Sequence, residues 1–441
     1  MPSVDMIKVS IWGMDVGLLE WDEKTRTTRF QYFPEFIDTG IELSPIKVPL
    51  SDRVYNFSNL NRSDDFQDTF YGLPGFIADS LPEKFGNRLL AKWLADKGLD
   101  FDDMSPLERL CYLGSRGMGA LEYAPALDEV ETPKGELDVH ELVSVARQVL
   151  QEQNSQAKIV NQLSLSELIS VGTSAGGAKA KAVIAWNERT GSVMSGQADL
   201  KPGYTHWLMK FDEIDNEEHA TSKQIGRIEY AYHQMAVDCG ITMMPCRLQE
   251  DGDMAHFMTQ RFDRTIPSDE NKASEKIHVQ TFCGIAHADR NPPGEYGYES
   301  LFKTARNLGV KQEGLDQIYR RMVFNLLSRN QDDHTRNHAF MLTGENQWDV
   351  TPAYDLCFSY KKGNPFISTH QMSCNGKRDD FVLDDLLAAA RSGDIKNPKQ
   401  TIEQVSDVLS YWEDYARDCG IKEASAQAIG NTFRKPLSSS E

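Results

Sequence analysis

What this chain has little of narrows the field first. Cysteine is scarce, with seven in 441 residues. Cys111, Cys239, Cys246, Cys283, Cys357, Cys374 and Cys419 are scattered, odd in number and include no CxxC pair. That excludes a disulfide framework and a cysteine zinc site, and predicts reduced thiols in a cytoplasmic protein. Long apolar runs are missing: nothing approaches the ~20 residues that span a bilayer, so no membrane association is expected. Met1 to Ser10 holds Asp5 and Lys8 and no apolar stretch, which speaks against a secretory signal. Positive charge is short as well, 47 Lys and Arg against 66 Asp and Glu, for a net charge of −19. Such a surface repels phosphate backbones and anionic lipid, so unaided nucleic-acid binding is disfavoured and a basic partner fits better. Internal repeats and low-complexity blocks are lacking too.

What remains is an ordinary globular composition, 40% hydrophobic, with length for two or three domains. Residues 1–127 read as a mixed α/β unit. Lys8 to Trp12 alternates like a strand, and Gly13 to Gly17 supplies a turn before another. Ser80 is the expected cap of a helix with Pro82 in its first turn and Phe85, Leu89, Leu90 and Trp93 on one side. Gly114, Gly117 and Gly119 precede a short strand at Leu121 to Tyr123. An acidic linker is expected over Asp128 to Glu136. Residues 137–278 open with helical patterning and become strand-rich from about Val171 to Asp263. A helix from Ser222 to Asp238 interrupts them, with Ile225, Ile228, Tyr232 and Met235 at helical spacing and Gly240 as its stop. Residues 279–436 read as mainly helical, ending in a helix over Asn397 to Asp418 and a frayed tail from Ser438.

Four segments carry chemistry. Val171 to Lys181 packs Ser174, Ala175, Gly176, Gly177 and Ala178 ahead of a strand. Small residues there let backbone N–H groups approach an anion, although the spacing is not that of a Walker loop. On the residues alone, a ligand-free loop remains the rival. His206 to Phe211 embeds Lys210 in an apolar strand. An inward ammonium needs a carboxylate or phosphate partner; kinases pair such a lysine with a glutamate on a nearby helix, and Glu229 occupies that place. Asn330 to His338 crowds polar groups after an apolar helix. Asp332 and Asn337, five apart, have the separation of an aspartate that orients a substrate hydroxyl and an asparagine that ligates magnesium. A rival reading takes Asp333, His334 and His338 as a metal-dependent phosphohydrolase centre. Trp348 to Leu356 runs from a strand through Pro352 to Asp355, placed to bridge phosphates through magnesium or simply to make a turn.

The order of these pieces, glycine-rich loop, strand lysine, helix glutamate, Asp-x4-Asn and strand-end aspartate, is that of a two-lobed phosphotransferase. With Arg261-Phe262-Asp263-Arg264 and Thr351-Pro352-Ala353-Tyr354-Asp355, they resemble the HipA family of toxin kinases over nearly the whole chain. The resemblance implies an α+β, two-lobed protein-kinase-like fold with an added N-terminal subdomain, and a serine/threonine protein kinase using ATP and Mg2+. It implies that Asp332 is the catalytic carboxylate and that Asn337 and Asp355 ligate magnesium. Lys210 and Lys181 would contact phosphates, together with Ala175, Gly176, Gly177 and His334 around the nucleotide. Gln260 and Phe262 would receive adenine through backbone groups, and Asp263 would reach the ribose. Ser174 is similar to the family's autophosphorylated serine, with Thr173 beside it as the ambiguous second hydroxyl; a phosphate there would add about −1.5 to −2 charges and expel the loop. The resemblance also implies a helix-turn-helix antitoxin, operator DNA reached through it, and a translation protein as substrate, aminoacyl-tRNA synthetases especially. Growth arrest or persistence would follow. A non-catalytic ATP-binding co-repressor and a small-molecule kinase are the other expectations the residues leave open.

Overall fold

The computed structural model describes residues 4–60, 69–126, 135–151, 162–172, 177, 179–197, 200–212, 224–266 and 273–434. The expected acidic linker falls outside them up to 134, and so does the C-terminal tail.

The N-terminal segment is built on a five-stranded sheet in the order β4-β3-β2-β1-β5: β1 (Met6–Ile11), β2 (Met14–Asp22), β3 (Thr27–Tyr32), β4 (Tyr55–Asn56) and β5 (Leu121–Ala124). Alternation is the cause. Ile7, Val9 and Ile11 are buried while Lys8 and Ser10 point outward, the period-2 signature of a half-buried strand. Among the described residues, four α-helices lie within this segment: α1 (Pro34–Ile37), α2 (Gly75–Ala78), α3 (Lys84–Asp96) and α4 (Pro106–Leu113). The last begins with a capping box, Ser105 accepting from the Glu108 amide and Glu108 from the Ser105 amide, with Pro106 in its first turn. Helix α3 does not start at Ser80. Its N-cap is Glu83, and Ser80 Oγ instead accepts from the Tyr123 hydroxyl at 2.6 Å.

The upper lobe has helices α5 (Val139–Gln151) and α6 (Gln162–Gly172) and a second sheet ordered β7-β6-β8-β10-β9. Its strands are β6 (Lys181–Asn187), β7 (Val193–Ser195), β8 (Tyr204–Lys210), β9 (Cys246–Asp251) and β10 (Met254–Gln260). Helix α7 (Ile225–Asp238) sits between β8 and β9 in sequence. The lower lobe is mainly helical: α8 (Phe282–Ala286), α9 (Tyr298–Asn307), α10 (Gln312–Ser328), α11 (Leu383–Ser392), α12 (Pro398–Ser410), α13 (Trp412–Asp418) and α14 (Glu423–Gly430). The single closing helix expected over Asn397 to Asp418 is two, broken at Tyr411. A small sheet of β11 (His278–Thr281), β12 (Ala339–Thr343) and β13 (Gln347–Val350) lies among them.

Two apolar cores organise the described residues. The N-terminal sheet shares one with α7 and the lower lobe, running from Ile7 and Leu81 to Ile228, Phe324 and Trp412. Helix α3 belongs to the other, where Phe85, Leu89 and Trp93 pack with α5, α6 and the upper sheet. The N-terminal segment therefore contributes to both lobes, crossing from one core to the other between Leu81 and Phe85.

Candidate active site

Lys210 ends β8, where the strand meets the cleft. Its ammonium is ion-paired with Glu229 and with Asp355 at once, and lies 5.6 Å from the centroid of the Phe257 ring. Burial opposes a charged lysine, but Asp355 and Glu229 outweigh it and hold Lys210 protonated well above its ordinary range. Glu229 reaches this point because α7 lies tight against β10. A Cβ on Gly226 would stand 1.9 Å from the Ala255 carbonyl oxygen, so only glycine fits. The helix N-terminus has no cap from Gln224. Asp212 stands in, accepting from the amides of Gly226 at 3.3 Å and Ala255 at 3.2 Å, and so ties helix to sheet.

Lys181 begins β6, directly across the ladder from Lys210. Its ammonium lies against Gly177, where a Cβ would be 2.5 Å away. Burial and then the Lys210 charge act against Lys181 and Asp355 favours it; the net effect lowers its pKa. Lys179 joins the group, with burial outweighed by Cys357 and Glu229, so that its pKa rises. Gly177 has φ +102 and Phe85 donates its amide to the Gly177 carbonyl at 3.4 Å. Thr173, Ser174, Ala175 and Gly176 lie outside the described residues.

The loop after α10 carries Asp332, whose side chain is 53% exposed. His334 Nε2 is 3.9 Å from it. Asn337 donates its side-chain amide to the Asp332 carbonyl at 2.7 Å, which leaves its amide oxygen as the group available to a cation. Asp355 follows the β12–β13 hairpin and has φ +53, a left-handed conformation uncommon outside glycine and frequent at functional sites. The two loops are laced together: the Tyr354 hydroxyl donates to the Arg336 carbonyl at 2.7 Å and Asn330 Nδ2 to the Asp355 carbonyl at 3.4 Å. Asp355 keeps 34% of its side chain exposed. Burial opposes its charge, yet Lys210 and Lys181 hold its carboxyl far below the usual carboxylate range.

Two expectations are corrected. Asp263 does not reach into the cleft. Its carboxylate accepts from Arg261 at 2.8 and 2.7 Å, from Arg264 at 2.9 Å and from the Gly119 amide at 2.7 Å, so it is occupied as a clamp on the N-terminal segment. Arg264 completes the clamp by donating to the Gly119 and Gly117 carbonyls. The Gln260 amide donates to the Pro245 carbonyl at 2.9 Å, and the Phe262 ring packs on Tyr354, 5.8 Å between centroids. The phosphohydrolase centre does not assemble either. Asp333 is buried and accepts from the Tyr298 hydroxyl, His370 Nδ1 and the Gln371 and Met372 amides, and burial pushes His338 down to about 4. Among the described residues no group of three His, Cys, Asp or Glu side chains could hold a metal ion. A pair of oxygen ligands, Asn337 and Asp355, instead suits a magnesium ion that keeps waters and shares substrate phosphates. Asp212, Gly226 and Glu83, which accepts from Arg336 at 2.7 Å, are the contributors that sequence reasoning missed. Only a glycine inside an otherwise helical run hinted at any of them.

A strand lysine bonded to a helix glutamate and a loop aspartate, between a five-stranded sheet and a helical lobe, defines a two-lobed protein-kinase-like fold. Residues 7–124 match the family model of the HipA N-terminal domain and residues 173–433 that of the HipA-like C-terminal domain; the chain belongs to the HipA family. The structure is similar to a chain from the Shewanella oneidensis MR-1 toxin–antitoxin complex of HipA, HipB and operator DNA, with a TM-score of 0.63 and 16% identity over 96% of this chain and 94% of that one. That likeness speaks for the fold. The Helicobacter pylori proinflammatory kinase CtkA is similar at a TM-score of 0.33 and 11% identity, over 53% of this chain and 90% of that one. No curated protein matches. Among the described residues no helix is long and apolar enough to cross a membrane.

Proposed function

We propose that this protein is a serine/threonine protein kinase and the toxin of a type II toxin–antitoxin system, transferring the ATP γ-phosphoryl group to a protein hydroxyl. The observation that carries the reading is Lys210 held between Glu229 and Asp355, the arrangement that aligns nucleotide phosphates in protein kinases. Lys210 and Lys181 bind and orient the phosphates. Asp332, exposed at the loop tip, orients the acceptor hydroxyl and takes its proton as the oxygen attacks in line. Asn337 and Asp355 would hold Mg2+, whose charge would neutralise that of the phosphates. Most of the acceleration is positioning and electrostatics. Family membership adds the partners: a helix-turn-helix antitoxin, operator DNA through it, and a translation protein as substrate, with aminoacyl-tRNA synthetases the first class to test and growth arrest as the outcome. Ser174, or Thr173 beside it, is the proposed self-modification site that switches the enzyme off.

The test is intact mass and peptide mapping after phosphatase treatment and incubation with ATP and Mg2+, beside Asp332→Asn. An added phosphate in the wild type and a loss of roughly 10²–10⁴ in its rate in the variant is the expected result. Absence of any transfer by wild-type protein that binds ATP would overturn the kinase reading in favour of a co-repressor or a small-molecule kinase.

A further inference from the structure

The N-terminal segment packs into both apolar cores. Leu81 lies in the lower core and Phe85 in the upper one. Glu83, between them, is the point of crossing, and its side chain is 13% exposed. It accepts from Arg336 Nη1 at 2.7 Å, and Arg290 Nη1 lies 3.5 Å from its other oxygen. Arg336 Nη2 donates to the Thr69 carbonyl at 2.9 Å. Arg336 is itself a residue of the Asp332–Asn337 loop. Its amide donates to His334 Nδ1 at 3.2 Å, and its carbonyl receives the Tyr354 hydroxyl next to Asp355. Two residues past Glu83, the Phe85 amide donates to Gly177 of the glycine loop. One turn of chain thus touches the loop carrying Asp332 and the loop above the phosphate site.

We infer that Glu83 is a positioning residue: through Arg336 it fixes the backbone that presents Asp332 and Asn337, so the N-terminal segment sets the geometry of the catalytic loop. A buried carboxylate that accepts from one arginine and faces a second is an expensive feature to keep for stability alone. Burial opposes the charge on Glu83, and Arg336 and Arg290 overcome it, holding its carboxyl far below the usual range. Removing that charge takes the ion-pair partner from Arg336 and frees the 335–337 turn to shift. A displacement of about 1 Å is enough to cost on the order of 10²-fold in rate. The catalytic part of this inference rests on the kinase reading; the positioning part does not.

The test uses the full-length protein with Glu83→Gln, nearly isosteric, and Glu83→Asp, which keeps the charge. Hydrogen exchange of peptides covering 332–338 is read first, because it needs no activity. Faster exchange there in Glu83→Gln, with the β1–β5 sheet still protected and partial recovery in Glu83→Asp, is the expected result. Phosphoryl transfer is read second: a fall of about 10–100-fold with a raised half-saturating Mg2+ concentration and unchanged affinity for metal-free ATP. Unchanged exchange over 332–338 in folded Glu83→Gln overturns the inference. So does uniform loosening of the whole chain in both variants, which would make Glu83 a stability residue. If the wild type transfers no phosphate but the loop still loosens, the kinase reading fails and the positioning role stands.

Discussion

Lys181 and Lys210 stand directly opposite one another on β6 and β8. Like charges facing across a ladder destabilise it, so this pair calls for an anion between or above it. Asp355 and Glu229 supply two negative charges to a group that also includes Lys179. On the kinase reading, Lys181→Met should shrink the Tm gain produced by ATP and Mg2+. Differential scanning calorimetry with and without nucleotide checks it, and an undiminished nucleotide shift would contradict the role given to Lys181.

Asp263 makes the opposite prediction. Because its carboxylate is consumed by Arg261, Arg264 and Gly119, Asp263→Asn should cost stability, about 3–5 kcal/mol for a broken buried pair. ATP affinity in the fraction that stays folded should remain within about twofold of wild type. Chemical denaturation and calorimetric ATP titration separate these effects. A stable variant that has lost nucleotide affinity would restore the ribose-binding role set aside above.

Acid should destabilise the protein early. Burial pushes His206, His278 and His338 down to about 4 and His287 down to about 3, against an unfolded value near ~6.5. Below that value the unfolded chain binds protons that the native chain refuses. The contribution is complete above pH ~6.5 and is lost as pH falls toward 4. Asp79, which burial pushes up to about 6, works the other way, as do the raised Glu167 and His140, but burial also lowers His233, His256 and His370. Tm should drop progressively between pH 7 and pH 5 (roughly the window set by those values), and a flat profile there would mean that these rings are hydrated.

Much of the site is legible in the chain because its parts are short and ordered. Lys210 is conspicuous as a cation in an apolar strand, Asp332 and Asn337 by their spacing, and Asp355 by the proline turn before it. What escapes a linear reading depends on partners far away in sequence. Glu83 meets Arg336 across 253 residues and Asp263 meets Gly119 across 144; Glu83 does not differ locally from a solvated acid. Arg261-Phe262-Asp263-Arg264 does carry a local signal, since an aspartate flanked by two arginines has partners before it needs a ribose. The fold reads in the same uneven way. Strand alternation in β1 and the spacing of α7 are plain, whereas the break at Tyr411 and helix α14 follow from packing of Trp412 and Ile429 in the lower core. No glycine or proline marks that break.

The Arg261–Asp263–Arg264 clamp grips the N-terminal segment by its main chain. Every hydrogen bond that it makes to Gly117 and Gly119 goes to an amide or a carbonyl. A joint of this kind asks for a path rather than for particular side chains. Gly119 has to turn left-handed, at φ +74, and the surrounding letters are free to drift. Two distant relatives could thus keep the same seam between these parts while sharing almost none of the residues that line it.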